Sequence, residues 1–393
     1  MNLLPAQTLL EALAVRDLTD PDQGPHALQL LLDDVLNALI TAWNCDLDLR
    51  RRHPLVAVED NYDRLGYSPD DITRDARYSR YVGETVMLRS HTSAGVPPTL
   101  RSLENPVDVL LVLPGMVYRR DSIDRTHVGT PHQVDLWRVT SNRHTGERDL
   151  QQMIALLVDA VLPGADWRAL PASHPYTQNG LQIDVRTAAG WMEVAECGLI
   201  AGHVLSGAGH DPAEVSGLAL GLGLDRALML RKGLDDIRLL RSENPKIAAQ
   251  MLDLSPWRPV SVHPVIRRDL SIVTDGDVDA ELLGDSVRSA LGAASADLES
   301  VSVIASTPHE ALPRAVQERL GTQPGQVNVL LRLELRPLNK TLTDAGANAL
   351  RDRVYAAVHR GPVLEWAART GPDRPHSAGQ GGRGGRVPRS ACP

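Results

Sequence analysis

The chain has 393 residues, with 41 Lys plus Arg against 49 Asp plus Glu and a formal net charge of −8. That length leaves room for two domains with separate cores, and the acid excess excludes a surface that attracts polyanions everywhere, so a nucleic-acid role needs a local basic face. Cys45, Cys197 and Cys392 match no disulfide framework or zinc spacing, no apolar run reaches the roughly 18 residues of a membrane span, and no signal-peptide pattern opens the chain. The expectation is a cytoplasmic protein with no membrane partner.

In chain order, Leu28, Leu32, Val35, Leu36, Leu39, Ile40 and Trp43 recur at helical spacing and predict an amphipathic helix that packs on a neighbouring domain or subunit. Residues 54–82 are polar and broken by Gly66 and Pro69, which reads as irregular structure. The aliphatic run from Val107 to Leu113 predicts a buried strand ending at Pro114 and Gly115, and residues 182–197 predict two strands about the turn 188–190. Leu218 to Leu224 is apolar with Gly221 and Gly223, then turns helical at Ala227. A Pro-bracketed break follows from Asn244 to Pro264. Beyond it lie a strand at 269–274, a helix near 279–292, strands near 298–305 and 327–335, a helix near 343–359 and a short strand near 363–366, the order βαββαβ of a ferredoxin-like unit. The strand at 327–335 is the clearest, with Val327, Val329, Leu331, Leu333 and Leu335 at period two. The Gly- and Pro-rich end predicts a disordered tail.

Two stretches carry chemistry. Gly115 to His127 holds Arg119, Arg120 and Arg125 between two strands, and a guanidinium presents a planar fork of donors to phosphate, to which His127 adds another. The same composition also suits a solvated turn. In Gly217 to Arg226, Gly221 and Gly223 let backbone approach a flat ligand while Arg226 opens a helix; the same glycines also let a strand pack under a helix. The third glycine of a dinucleotide fingerprint is missing.

Taken together, the motifs resemble those of class II aminoacyl-tRNA synthetases, most closely the phenylalanine type. Met87 to Ala94 is similar to the family's Leu-Arg-Thr-His-Thr-Ser segment, Val117 to Asp121 with His127, His132 and Gln133 to motif 2, and Gly190 to Val194 to its Gly-Trp-Leu-Glu-Val strand. Gly221 to Arg226 is similar to motif 3, and His263 to Ser271 to the start of the anticodon-binding domain. The resemblance runs from about 85 to 366. It implies an α+β fold: a class II core, an antiparallel sheet flanked by helices, plus a C-terminal ferredoxin-like βαββαβ domain. The expected divisions are a helical segment at 1–50, the catalytic core at 51–245, a linker at 246–262, the anticodon-binding domain at 263–368 and the tail at 369–393.

The resemblance further implies ATP and Mg2+, an amino acid with phenylalanine as the leading one, and a phenylalanine-accepting tRNA as partners, in a monomer or homodimer. Arg119 and Arg226 would be the catalytic pair on the α- and γ-phosphates, with Asp121 toward the adenine, His127 near the outer phosphates and Glu193 as the candidate magnesium ligand. His91, Ser93, Gln133 and Asp135 would hold the polar end of the amino acid, and His174, Tyr176 and Ala219 its side chain. Arg267, Arg268, Arg336 and Lys340 would contact tRNA.

The chain departs from the family at several places. The Phe-Pro-Phe segment beside the substrate ring is His174-Pro175-Tyr176, the adenine-stacking Phe is Pro131, and a family glycine is Glu196. Leu218 and Leu220 stand where aromatic residues are common, and no Phe occurs anywhere. Three readings stay open at this point: a phenylalanine-type ligase, a paralogue that passes another amino acid to a non-tRNA acceptor, and a noncatalytic tRNA-binding regulator.

Overall fold

A computed structural model describes residues 3–104, 107–120, 122–141, 143–260, 263–338 and 340–362. The first part of the chain runs α1 (Ala6–Leu13), α2 (Ala27–Trp43), β1 (Asp46–Leu49), β2 (Leu55–Ala57), α3 (Val58–Asn61), β3 (Arg80–Tyr81), β4 (Val86–Leu88), α4 (Val96–Leu100), β5 (Asp108–Met116) and β6 (His132–Thr140). It continues with α5 (Glu147–Val161), β7 (Trp167–Pro171), β8 (Thr177–Thr187), β9 (Gly190–Ile200), α6 (Gly202–Gly207), β10 (Ser216–Gly223), α7 (Leu224–Lys232) and α8 (Pro245–Ala248). Seven strands form one sheet in the order β1-β5-β6-β10-β9-β8-β7. All neighbours are antiparallel except β1, which runs parallel to β5.

Alternation along the strands gives this sheet two faces. Leu218, Leu220 and Leu222 of β10, with Val134 and Leu136 of β6, point to one side and join Leu28 and Leu32 of α2, Ile154 and Leu157 of α5 and Leu228 of α7 in the main core. Leu218 and Leu220 are thus helix-side packing residues. The opposite face carries Asp135 and Trp137 of β6 and Gly217, Ala219, Gly221 and Gly223 of β10; Trp137 and Ala219 sit there in a smaller apolar cluster with Leu111. Each fully buried leucine contributes about 1.5–3 kcal/mol, so the helix side anchors the sheet and leaves the other face free for a site.

Two expected boundaries are corrected. Residues 1–50 are not a separate helical segment: β1 is an edge strand of the sheet, and the apolar stripe of α2 is buried with α5 in the chain's own core. The helix offered as an interface is used internally because the helix side of the sheet needs a cover. Nor is 246–262 a free linker over its first half. Ile247 and Met251 are buried, Trp257 packs on the same core, and the buried Lys232 ammonium donates to the carbonyls of Asp253 and Ser255, both at 2.7 Å. An ammonium without water needs such acceptors, and they strap the segment to α7.

The second part runs β11 (Ile266–Thr274), α9 (Ala280–Leu291), β12 (Leu298–Pro308), α10 (Arg314–Leu320), β13 (Val327–Leu335) and α11 (Asp344–Val358), with an antiparallel sheet ordered β11-β13-β12. The period-two residues of β13 are buried beneath Val287 of α9 and Val354 of α11 in a core of their own. The expected order is present up to α11, with α10 as an addition between β12 and β13. The strand expected near 363–366 and the tail lie outside the described residues.

The two parts meet through charge. Glu299, buried at the start of β12, faces Arg336 at 2.7 Å, Arg125 at 2.9 Å and Arg238 at 3.8 Å. Asp285 of α9 pairs with Arg80 and Arg120 at 2.6 and 3.2 Å, and the Tyr78 hydroxyl donates to Asp279 at 2.6 Å.

Candidate active site

A cavity of about 1020 Å³ lies on the open face of the large sheet, over β6, β9 and β10, with Asp279, Ala280 and Glu281 of the second part at its rim. Arg119, on the hairpin after β5, and Arg226, in the first turn of α7, both line it. One Arg226 nitrogen donates to the Glu193 carbonyl at 3.0 Å and the other lies 3.4 Å from His127 Nε2. A guanidinium only donates, so Nε2 accepts and Nδ1–H points to the Asp124 carboxylate, 2.7 Å away. Burial pushes the Asp124 carboxyl up, but the hydrogen bonds from His127 and Thr126 outweigh it and hold it well below the usual range. Two guanidiniums and an imidazole from stretches about a hundred residues apart therefore meet in one hollow. Asp121 lies outside the described residues.

The join between these stretches is a buried pair absent from the sequence reading. Asp225 accepts from the His132 backbone N–H at 2.9 Å and from His132 Nδ1–H at 2.7 Å. Burial opposes its ionisation, but His132 and Arg241 prevail and its pKa is lowered. His132 Nε2 takes the Leu18 N–H at 3.0 Å and faces Arg241 at 3.1 Å. The clasp fixes the first turn of α7 to the start of β6, and so fixes Arg226 relative to the hairpin. His132 and Asp225 both lie inside quoted motifs, but nothing local marks them as partners, and Arg241 carries no sequence signal at all.

At the other end, Asp135 is buried and accepts from Thr92 at 2.6 Å, Ser93 at 3.1 Å and the Trp137 indole at 2.9 Å. Burial raises its pKa against these three donors. The segment holding Thr92 and Ser93 is pinned by Arg89, whose Nε donates to the Met116 carbonyl at 2.7 Å. Gly115 makes room for that guanidinium: its φ is +144°, and a Cβ there would lie 2.1 Å from Arg89 Nη2. His91 stacks on Tyr67 with ring centres 5.6 Å apart, and burial lowers its pKa to about 4, so it is neutral near pH 7. Gln133 and Glu193 also line the cavity; burial, then the nearby Glu196, raises the Glu193 carboxyl.

Tyr176 lines the cavity between Tyr67, 6.4 Å away, and Trp137, 5.9 Å away. His174 stands one layer behind, stacked on Tyr176 at 5.8 Å, and Ala219 lies beneath in the same apolar cluster as Trp137. Neither His174 nor Ala219 is on the cavity wall. None of the four cations expected to meet tRNA lines this cavity, and each has an acid: Arg267 with Glu334 at 2.8 Å, Arg268 with Asp344 at 2.7 Å, Arg336 with Glu299 at 2.7 Å and Lys340 with Asp297 at 2.8 Å. Among the described residues no group of three or more His, Cys, Asp or Glu is placed to hold a metal. No helix there is long and apolar enough to cross a membrane.

Residues 36–251 match the family model described as "tRNA synthetases class II core domain (F)". The "Phenylalanine--tRNA ligase alpha subunit" of Prochlorococcus marinus (strain MIT 9313) is 35% identical over 191 residues, 48% of this chain and 56% of that protein. The protein of the same name from Lactiplantibacillus plantarum is 36% identical over 197 residues, 45% of this chain and 55% of its own. The chain thus spans a little over half the length of these curated relatives. The "Phenylalanine--tRNA ligase, mitochondrial" of Saccharomyces cerevisiae is 26% identical over 414 aligned positions, 84% of this chain and 85% of that protein. With its core motifs gathered on one sheet face and more than half of its length matched, the chain belongs to the family of class II tRNA synthetase core domains (F).

Proposed function

We propose that the chain activates an aromatic amino acid of the phenylalanine type with ATP and transfers it to tRNA. The observation that carries this reading is the convergence of Arg119 and Arg226 on the cavity that also holds Asp135. In the first step a substrate carboxylate oxygen attacks the α-phosphorus, the bond to the bridging oxygen breaks, and pyrophosphate leaves with the electron pair. Charge grows on the phosphates, so the task is positioning plus electrostatic stabilisation. Arg119 meets the α-phosphate and Arg226 the γ-phosphate, with the His127 ring held by Asp124 beside it. Asp135, framed by Thr92, Ser93 and Gln133, takes the ammonium. In the second step a ribose hydroxyl of tRNA attacks the acyl carbon and AMP leaves.

Magnesium commonly uses one or two protein carboxylates and completes its shell with phosphate oxygens and water, and Glu193 on the cavity wall fits as that carboxylate. When bound, the ion would neutralise phosphate charge. The second part is read as the anticodon-binding domain, with Arg267, Arg268 and Lys340 exchanging their acid partners for phosphate and Arg336 meeting it while still paired with Glu299. tRNA affinity then falls steeply with salt. A monomer suits the buried face of α2, and a reducing compartment such as the cytoplasm suits the free thiols Cys45 and Cys197.

The test is amino-acid-dependent exchange of pyrophosphate into ATP, followed by tRNA charging. Exchange with one aromatic amino acid plus charged tRNA supports the reading. Exchange without charging leaves the paralogue with another acceptor, and no exchange leaves the noncatalytic tRNA binder.

A further inference from the structure

Across the sheet, Asp135 of β6, Gly221 of β10 and Glu196 of β9 are register partners in one row. They share the face that bears the cavity, and all three line it. Two strand spacings separate the carboxylate-bearing positions, about 10 Å between backbones. Between them the surface is bare, since a Cβ on Gly221 would meet nothing within 4 Å. An amino acid lying over Gly221 therefore reaches from one carboxylate toward the other.

The Glu196 end is built rather than incidental. Its Oε1 lies 3.1 Å from His174 Nε2 as an ion-pair contact, and its side chain is 41% exposed and lines the cavity. His174 is held in turn: its ring stacks on Tyr176, and its other nitrogen lies 3.3 Å from the Thr177 hydroxyl. Tyr67 and Tyr176 supply flat apolar walls. Burial, with the nearby carboxylates adding to it, raises both phenols, so these walls stay uncharged donors.

A plain hydrocarbon ring pressed against Glu196 would strip water from a carboxylate and return no hydrogen bond, which is unfavourable. A ring with a donor at its far edge replaces that water. We propose that Glu196, positioned by His174, determines specificity, and that the side-chain subsite takes an aromatic amino acid whose ring carries a hydrogen-bond donor, a phenol in the simplest case. The inference rests on the activation reading above and narrows its substrate.

The experiment compares phenylalanine, tyrosine and para-aminophenylalanine in pyrophosphate exchange by the full chain, its Glu196→Gly and Glu196→Gln variants and His174→Phe. In the native chain the two donor-bearing rings exceed phenylalanine in kcat/KM by at least about tenfold, the worth of one hydrogen bond to a charged group. Glu196→Gly reverses the order, chiefly through KM. Glu196→Gln, which keeps an acceptor oxygen, restores part of it, and His174→Phe weakens it. A native preference for phenylalanine, or a ratio unmoved in Glu196→Gly, overturns the proposal. Ligand-induced thermal stabilisation reads the same subsite without catalysis. Absence of exchange with every amino acid sinks the activation reading, whereas a tyrosine shift no larger than that of phenylalanine sinks the specificity.

Discussion

Arg226 does its work through its neighbours: Glu193 and His127 aim its guanidinium, and the His132–Asp225 clasp fixes the turn that carries it. Arg226→Ala is expected to lower pyrophosphate exchange by about 10²–10³-fold, the usual effect of removing one preorganised donor from a transition state. Stopped assays of exchange rate at saturating amino acid check this, and a loss below threefold would contradict it. Histidines set a second expectation at this scale. His26 caps α2, accepting from Leu28 N–H and bonding the Leu240 carbonyl, and burial lowers its pKa from 6.5 to about 4, as it does for His91. Between pH 6.5 and 4 the unfolded chain binds more protons at these sites, so their contribution is complete above 6.5 and is lost as pH falls toward 4. The shift corresponds to roughly 3 kcal/mol per histidine. Urea midpoints should fall as pH drops across that range, and His26→Asn, which keeps a capping oxygen, should remove about one proton from the linkage. Arg119, His127, Ser93, Gln133, Asp135 and Arg226, singled out by their motifs, line one cavity. The bonds that orient them were not legible in sequence, because His132 meets partners 93 and 109 residues away and no local pattern encodes such a pairing.

Strands were legible wherever period two met a one-sided face. β13 shows all its alternating aliphatics buried, and the turn between β8 and β9 falls at the glycine-bearing residues expected. Legibility failed where burial depends on a distant partner. The stripe of α2 marks a helix but not whether the covering surface belongs to the same chain, and α10 arises in a polar stretch between Pro313 and Gly321 with one buried leucine, Leu320. Leu32→Ala is therefore expected to destabilise the chain by about 2–5 kcal/mol as a core cavity without changing its mass in solution. A shift in oligomeric state with unchanged melting would return α2 to an interface role. At the hairpin, Gly115→Ala meets both a positive φ and the Arg89 guanidinium. We expect it to lower stability by about 2 kcal/mol or more and to weaken exchange as Arg89 shifts, both read from one purified variant by thermal melt and rate assay.

For the molecule as a whole, the two cores are joined by polar contacts that converge on Glu299, which faces three arginines from its buried position. Removing one charge from such a cluster leaves the others uncompensated, reduced here because the arginines are partly exposed. Glu299→Gln should loosen the docking by about 1–3 kcal/mol, seen as faster proteolytic cleavage between residues 253 and 265, while unchanged cleavage would show that the charges do not hold the parts together. The same docking brings Asp279 and Glu281 to the rim of the cavity, so nucleotide binding is read in the intact chain. The central claim is that Arg119 and Arg226 grip one triphosphate, and ATP titration calorimetry on the native chain, Arg119→Ala, Arg226→Ala and the double variant tests it most directly. The account predicts at least about a tenfold loss of affinity in each single variant and a double loss that is not the sum, as for groups sharing a partner. Native-like ATP affinity in both single variants would contradict it.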